Sequence, residues 1–192
     1  MNKNAETSVA LDANIAKRWS TRSFDETYTV SDADVLALLE AARWAASGSN
    51  AQPWRFFIAR RTDENFEKIS QTLSGNNAVW APKASLFIVA LAQTHTTEGK
   101  ERKLAFYDVG LAVGQLGIQA TALGLSLHQM AGFDAEALAT SLNIASDLKP
   151  LVVIAVGKYS EQSSLPEELQ ERERATRGRK PLSEIVVAGL PR

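Results

Sequence analysis

The sequence predicts one α+β or α/β domain in which helices and strands are mixed along the chain. Residues 84–92, ASLFIVALA, and residues 151–156, LVVIAV, are strand-sized apolar runs, and the first is apolar on both faces, as buried strands are. Residues 103–123 carry the longest helical pattern. The chain has 192 residues, of which 45% are hydrophobic, and this is enough for one sizeable core.

The other elements follow from apolar spacing and from capping residues. Ser31 is predicted to cap a helix, with Asp34 in the acidic position of a capping box and apolar residues at helical spacing over 35–42. A loop over 47–53 separates this helix from the next strand. The further predictions are helices over 9–18, 63–73, 134–142 and 166–175, and strands over 54–59 and 126–131.

Composition and charge argue against several classes of protein and site. The 21 basic and 22 acidic residues give a formal net charge of −1, which argues against a nucleic-acid-binding protein. The absence of cysteine excludes disulfides and thiolate chemistry, and two histidines are too few for a histidine-rich metal centre. His128 lies in a predicted strand, where we expect it to be packed and hydrogen-bonded rather than catalytic.

The N-terminus indicates no targeting or membrane segment. Residues 1–14 lack the apolar core of a signal peptide, and the apolar runs are far shorter than the roughly 20 residues that span a bilayer. We therefore expect a cytoplasmic protein with no membrane partner, in which residues 1–7 form a flexible tail.

Three glycines, Gly110, Gly114 and Gly117, lie along one side of the predicted helix over 103–123. Each glycine weakens an exposed helix by up to about 1 kcal/mol, so their presence needs a reason. Close packing against another helix or a flat ligand would supply one. Burial of the whole helix in the core is the simpler explanation.

Four arginines lie beside loop-forming residues at the two ends of the chain. Arg18 and Arg22 belong to the stretch RWSTRSF (residues 18–24), and Arg177 and Arg179 follow the last predicted helix. The planar guanidinium group matches phosphate oxygens, and the hydroxyl of Ser20 adds a donor. A phosphate site built from both chain ends would explain this distribution, whereas composition alone favours a solvated basic patch.

The loop SGSNAQPW, residues 47–54, combines small hydroxyl residues with two carboxamides. Carboxamides present donors and acceptors together, which suits the edge of a heterocycle that carries N–H and C=O groups. Ordinary helix-to-strand turn chemistry is the alternative explanation.

Four motifs in order, over about residues 14–187, resemble the nitroreductase-like family of FMN-dependent NAD(P)H oxidoreductases. RWSTRSF is similar to the family's Arg-x-Ser-x-Arg/Lys-x-Phe motif, and SGSNAQPWRF is similar to its Ser-x-x-Asn-x-Gln-Pro-Trp loop. ALGLSLHQMAGFD looks like its Leu-Gly-Leu segment that leads to Gly-Phe-Asp, and RGRKPLSEIV looks like its closing basic segment. The resemblance depends on the order and spacing of these motifs.

The resemblance implies a single domain with an α+β fold, a mainly antiparallel sheet flanked by helices. It also implies a homodimer with a long central helix in the subunit contact and FMN at the subunit interface. In that site Arg18 and Ser20 would hold the FMN phosphate together with Arg177 and Arg179. Arg22 would approach the N1 and O2 edge of the flavin, where a fixed cation favours the reduced cofactor.

The resemblance places the other candidate residues around the flavin ring. Ser47, Gly48 and Asn50, from the other subunit, would line the ring and ribityl chain, and Gln52 would act through the loop's own hydrogen bonds. The backbone around two further residues, Ala131 and Gly132, would donate to flavin N5. Trp19 is the last candidate, because it belongs to RWSTRSF, although core packing is the simplest role for its ring.

The implied activity is reduction of quinones, nitroaromatics or similar small electrophiles by NAD(P)H, in a ping-pong reaction carried by FMN. No catalytic side chain is required, because the cofactor supplies the chemistry. Two alternatives stay open: a reductive dehalogenase or flavin-modifying enzyme of the same fold, and a flavin-binding regulatory protein without turnover. The sequence specifies neither the electron acceptor nor a choice between NADH and NADPH.

Two departures from the family pattern concern the substrate. Ala131 stands where some members carry a glutamate before Gly-Phe-Asp, so substrates of those members do not transfer directly. The segment 93–102 is brief and polar, so any lid that it forms over a substrate is expected to be small.

Overall fold

The structure is a computed structural model that describes residues 3–161 and 164–191. At its centre lies a four-stranded sheet in the order β1-β2-β4-β3, in which every neighbouring pair is antiparallel. This sheet with its flanking helices confirms the α+β fold. The strands are β1 (Trp54–Arg60), β2 (Leu86–Gln93), β3 (Ser126–Met130) and β4 (Leu148–Gly157).

The helices occur where apolar spacing predicts them, with two short additions that spacing does not predict. α4 and α8 have four residues each, too few for a periodic pattern. The predicted helix over 9–18 is shorter than expected and begins only after Asp12, which caps it. The helices are α1 (Ala13–Lys17), α2 (Asp32–Arg43), α3 (Glu64–Thr72), α4 (Asn77–Trp80), α5 (Ala105–Ala122), α6 (Ala135–Ser141), α7 (Glu167–Arg174) and α8 (Leu182–Ile185).

The two predicted caps are confirmed. The Ser31 hydroxyl oxygen accepts the N–H of Asp34 at 3.1 Å, although the Asp34 carboxylate accepts the Ser31 hydroxyl and does not complete a reciprocal capping box. Asp134 accepts the N–H groups of Glu136 and Ala137 at 3.0 and 2.9 Å. Both side chains thus satisfy N–H groups that a helix start leaves without partners.

The core consists of two apolar clusters, one on each face of the sheet. Alternate residues of β2 point to opposite faces, so Ile88 and Ala90 belong to the cluster under α2 and α5. Phe87 and Val89 belong to the cluster with Trp80. Because both faces are covered, all but the last residue of β2 is buried, as its apolar sequence predicts.

The long helix α5 has one buried face and one exposed face. Its exposed face contains Gly110 and Gly114, and a Cβ added at either position would meet nothing within 4 Å. Burial in the core of the chain itself therefore does not explain these two glycines. Gly117 differs, because an added Cβ would lie 3.7 Å from Arg18 Cδ.

No helix among the described residues combines the length and apolar character needed to cross a membrane.

Candidate functional site

A cationic cleft of about 230 Å³, called here the arginine cleft, lies between the N-terminal motif and the segment after α7. Trp19 forms part of its wall and packs edge-to-face with Tyr159 at a ring-centroid distance of 5.5 Å. The cleft brings together basic residues from the two ends of the chain. Its lining residues are Lys3, Arg18, Trp19, Ser20, Arg22, Arg172, Ala175, Thr176, Arg177 and Arg179.

Arg18 is the partly buried cation of this cleft, and its Nη1 lies 3.5 Å from Ser20 Oγ. Burial lowers the pKa of Arg18, and the nearby charges of Arg177 and Arg179 lower that pKa further. Burial and Arg179 also lower the pKa of Arg177. These cations repel one another in a partly dehydrated setting, so an anion with several acceptor oxygens would stabilise them.

The described part of the N-terminal segment runs along the arginine cleft. Arg177 Nη1 donates to the carbonyls of Ala16, at 2.9 Å, and of Lys3. Lys3 Nζ lies 5.4 Å from the centroid of the Trp19 ring. Residues 1 and 2 lie outside the described residues. The flexibility of residues 1–7 remains a prediction.

A buried carboxylate anchors the backbone of RWSTRSF. Glu173 on α7 is 4% exposed, and its two carboxylate oxygens lie 3.2 and 3.0 Å from the backbone N of Arg22, whose N–H they accept. Glu173 also accepts the hydroxyl of Thr21, and its Oε2 lies 3.9 Å from Arg22 Nη1. Thr21, to which the sequence assigns no role, in turn accepts the N–H of Ser23 at 2.9 Å.

His128 of β3 supports the same segment from the other side. Its Nδ1 lies 2.8 Å from the carbonyl oxygen of Thr21, and because a carbonyl only accepts, Nδ1 carries the hydrogen. The ring also packs on Trp80 at 4.5 Å between centroids. Burial lowers the pKa of His128 to about 4, and the charges of Arg22 and Arg18 act in the same direction. His128 is thus a packed, hydrogen-bonded histidine, as predicted.

Side chains of the loop over 47–53 form hydrogen bonds within the loop. Ser47 Oγ accepts the N–H of Gln52 at 3.1 Å, and Gln52 Nε2 donates to Asn50 Oδ1 at 3.0 Å. The backbone φ angles of Ser49, Asn50 and Gln52 are 50°, 55° and 45°, all in the left-handed region. Non-glycine residues adopt this region at an energetic cost and often do so at ligand-binding sites.

Ala131 and Gly132 follow the last residue of β3. The Gly132 carbonyl accepts the N–H of Ser74 and the Nδ2 group of Asn77, both at 3.1 Å. A Cβ on Gly132 would lie 2.8 Å from Asn77 Nδ2, so a side chain at this position would displace the Asn77 amide. Ala131 is exposed and adds only a methyl group to the surface.

The candidate residues form separate groups within one chain. The loop over 47–53 leads into β1, at the edge of the described sheet opposite to β3. Three inter-strand spacings, about 14 Å, separate these edges. The helix α5 gives a similar distance between the loop and Arg18. Gly48 contacts α5 at Asp108. Arg18 lies beside Gly117 of the same helix, about 13 Å further along its axis. The structure therefore unites Arg18, Trp19, Ser20, Arg22, Arg177 and Arg179, but places Ser47, Gly48, Asn50 and Gln52 elsewhere.

The sequence does not single out Glu173, because the surrounding stretch ERER (residues 171–174) is typical of a solvent-exposed charged helix. One signal was available. Leu165, Leu169 and Glu173 recur every four residues, and all three are buried, so the acid continues an apolar stripe. Asp108 was also missed, because one acid in an apolar helix gives no indication of its partner.

Comparison with known proteins gives a consistent result. The sequence model of the Nitroreductase family matches residues 15–79 and 69–158. A crystal structure described as an oxidoreductase containing FMN is 32% identical, with a TM-score of 0.91 and coverage of 98% of this chain and 96% of that one.

Two further relatives are similar over most of their length. An "uncharacterized 15.4 kDa protein in ask 5'region" of Mycolicibacterium smegmatis is 32% identical over 70% of this chain and 95% of its own length. The Bacillus subtilis protein named "Putative NAD(P)H nitroreductase YdgI" is 24% identical over 76% of this chain and 86% of its own length. The family model alone spans more than half of the sequence. The chain therefore belongs to the nitroreductase family.

Proposed function

We propose that the protein is an FMN-dependent oxidoreductase that uses NAD(P)H to reduce small electrophiles such as quinones and nitroaromatics. The observation that carries this proposal is the arginine cleft, whose cations come from both chain ends and include the partly buried Arg18. Its donors suit a phosphate dianion, because several guanidinium groups and the Ser20 hydroxyl converge on one space. The FMN named for the similar crystal structure carries such a phosphate.

The residues of this chain would bind and tune the cofactor, with Arg18, Ser20, Arg177 and Arg179 at the phosphate. Bound FMN would supply two-electron redox chemistry between a reduced nicotinamide and the acceptor, while these side chains would hold it in place. Arg22 would lie at the N1 and O2 edge and favour the negative charge that reduction adds there. Glu173 holds the backbone N–H of Arg22, so the point from which the Arg22 side chain extends is fixed before the cofactor binds.

A homodimer would complete the site. Within one chain the loop over 47–53 and the arginine cleft are about 13–14 Å apart, so a loop from a second subunit could cover a flavin held in the cleft. The exposed face of α5 offers a suitable contact, because Gly110 and Gly114 line a groove of about 500 Å³ there. Phe106 and Tyr107 near its start are 49% and 64% exposed, an apolar surface that a partner would bury.

Hydride donor and acceptor would use the same open face of the flavin in turn, which gives ping-pong kinetics. The name of the Bacillus subtilis relative supports NAD(P)H as the donor. Position 131 is alanine and carries no acidic side chain, which favours an electron acceptor that needs no protein carboxylate.

The test combines cofactor analysis with kinetics. The purified protein is expected to release FMN on heat denaturation and to give parallel double-reciprocal plots with NAD(P)H and a quinone. Arg22→Ala is expected to lower turnover at least tenfold while it changes thermal stability little, because the Arg22 side chain is partly exposed. A protein that neither carries FMN nor binds added FMN would refute the proposal.

A further inference from the structure

Glu173 is a buried acid in a strongly cationic setting. It is 4% exposed and lies on α7 next in sequence to Arg172, which lines the arginine cleft together with Arg18, Arg177 and Arg179. Burying a carboxylate costs free energy unless partners replace its water. Among the described residues, the hydrogen-bond and ion-pair partners of the Glu173 carboxylate are Thr21 and Arg22 of the N-terminal motif. The carboxylate therefore stabilises that motif.

The contacts divide into two kinds. The N–H of Arg22 donates to both carboxylate oxygens, and the hydroxyl of Thr21 donates to one of them, so the acid fixes the backbone of the motif. The Arg22 guanidinium lies 3.9 Å from Glu173 Oε2, which is an ion-pair distance without a direct hydrogen bond. The acid therefore offsets part of the Arg22 charge but leaves the guanidinium donors free to bind a ligand.

We propose that Glu173 is a positioning residue that orients Arg22 toward the flavin and reduces the positive charge that the flavin experiences. This proposal rests on the proposed function, in which Arg22 lies at the flavin edge. A negative charge close to that edge opposes the charge that reduction adds. Glu173 thus keeps the midpoint potential of the bound flavin more negative than the arginines alone would set it.

The two effects can be separated by substitution. Glu173→Gln keeps an oxygen for the Arg22 N–H and an amide that can donate to the Thr21 hydroxyl oxygen, but it removes the charge. We expect FMN affinity within about threefold of the wild type, a more positive midpoint potential and slower reoxidation by a quinone. Glu173→Ala also removes the anchor and is expected to weaken FMN binding at least tenfold.

The matched control is Glu171→Gln, the same charge change on an exposed position of α7. It should leave the potential unchanged, because exposed charges are screened by solvent and salt. Equal potentials for Glu173→Gln and Glu171→Gln would overturn the electrostatic role of Glu173.

A second measurement requires no flavin. Residue-resolved hydrogen exchange on the flavin-free protein should show the Arg22 amide protected in the wild type and in Glu173→Gln, and at least tenfold faster in Glu173→Ala. Equal exchange in the wild type and Glu173→Ala would overturn the positioning role. Since this readout is independent of cofactor, it distinguishes failure of the inference from a protein that binds no FMN.

Discussion

Asp108 on α5 accepts the backbone N–H of Gly48 with both carboxylate oxygens, each 3.2 Å from the nitrogen. Asp108 is 2% exposed and lies in the first turn of the helix, where the helix dipole favours a negative charge. The same helix passes beside Arg18 at Gly117. α5 thus fixes the distance between the loop over 47–53 and the arginine cleft.

Asp108→Ala is expected to lower the free energy of unfolding of the flavin-free protein by about 1–3 kcal/mol, because Gly48 loses a charged acceptor. Asp108→Asn keeps one acceptor oxygen and should cost less. Urea unfolding of both variants checks the order. If Asp108→Ala unfolds at the wild-type urea concentration, the contact contributes nothing to stability.

Removing a phosphate ligand should weaken FMN binding without unfolding the protein. Arg18→Gln is expected to raise the Kd of FMN about 10- to 100-fold, since a charge-assisted hydrogen bond contributes about 1.5–3 kcal/mol. Fluorescence titration with FMN measures this change. Arg43→Gln is the control, because Arg43 is exposed and pairs with Glu40 on α2. Equal Kd values for the two variants would exclude Arg18 from the phosphate site.

We expect the exposed glycines of α5 to affect dimerisation and not the folding of one chain. A Cβ added at Gly114 would meet nothing within 4 Å, and the position borders an open groove, so we expect Gly114→Leu to leave the helix itself unharmed or slightly stabilised. In a dimer the added side chain would fill the groove, and analytical ultracentrifugation should show a shift toward monomer with loss of FMN. Ala137→Leu on the exposed surface of α6 is the control. A Gly114→Leu protein that remains as dimeric as this control would place the subunit contact elsewhere.

His128 should make stability depend on pH. Its pKa in the folded protein is about 4, against an ordinary value of 6.5, so between these values the unfolded chain binds the proton more readily. The free energy of unfolding should therefore fall as the pH falls from 6.5 to 4, by about 1–3 kcal/mol from this group.

Urea unfolding at pH 7 and pH 4.5 measures the contribution of His128. His128→Gln should reduce the pH dependence, because glutamine does not titrate in this range. An unaltered dependence in His128→Gln would show that the ring does not titrate in this range.

The spacing of apolar residues predicts the strands and most helices, because the buried face of each element must be apolar. The apolar run of β2 is covered on both faces, and Asp134 caps a helix as its side chain predicts. α4 could not be predicted, because its four residues are held by contacts distant in sequence, such as the bond from Asn77 to Gly132.

The types of residue in the candidate site can be predicted from the sequence, but the contacts between them cannot. Arginines and hydroxyls indicate an anion site wherever they cluster, and the two chain ends do meet at the arginine cleft. The pairing of Glu173 with Thr21 and Arg22 joins residues about 150 positions apart. Composition and spacing carry no information on such a contact, so it appears only when α7 packs beside the N-terminal motif.

The proposed NAD(P)H-dependent flavin chemistry is tested most directly by an anaerobic titration of the purified protein with NADH and with NADPH, monitored by visible absorbance. We expect bound FMN to lose its visible absorbance with one equivalent of a reduced nicotinamide per flavin. Addition of a quinone should then restore the absorbance. A protein without FMN, or a flavin spectrum that neither nicotinamide changes, would exclude an NAD(P)H-dependent flavin oxidoreductase.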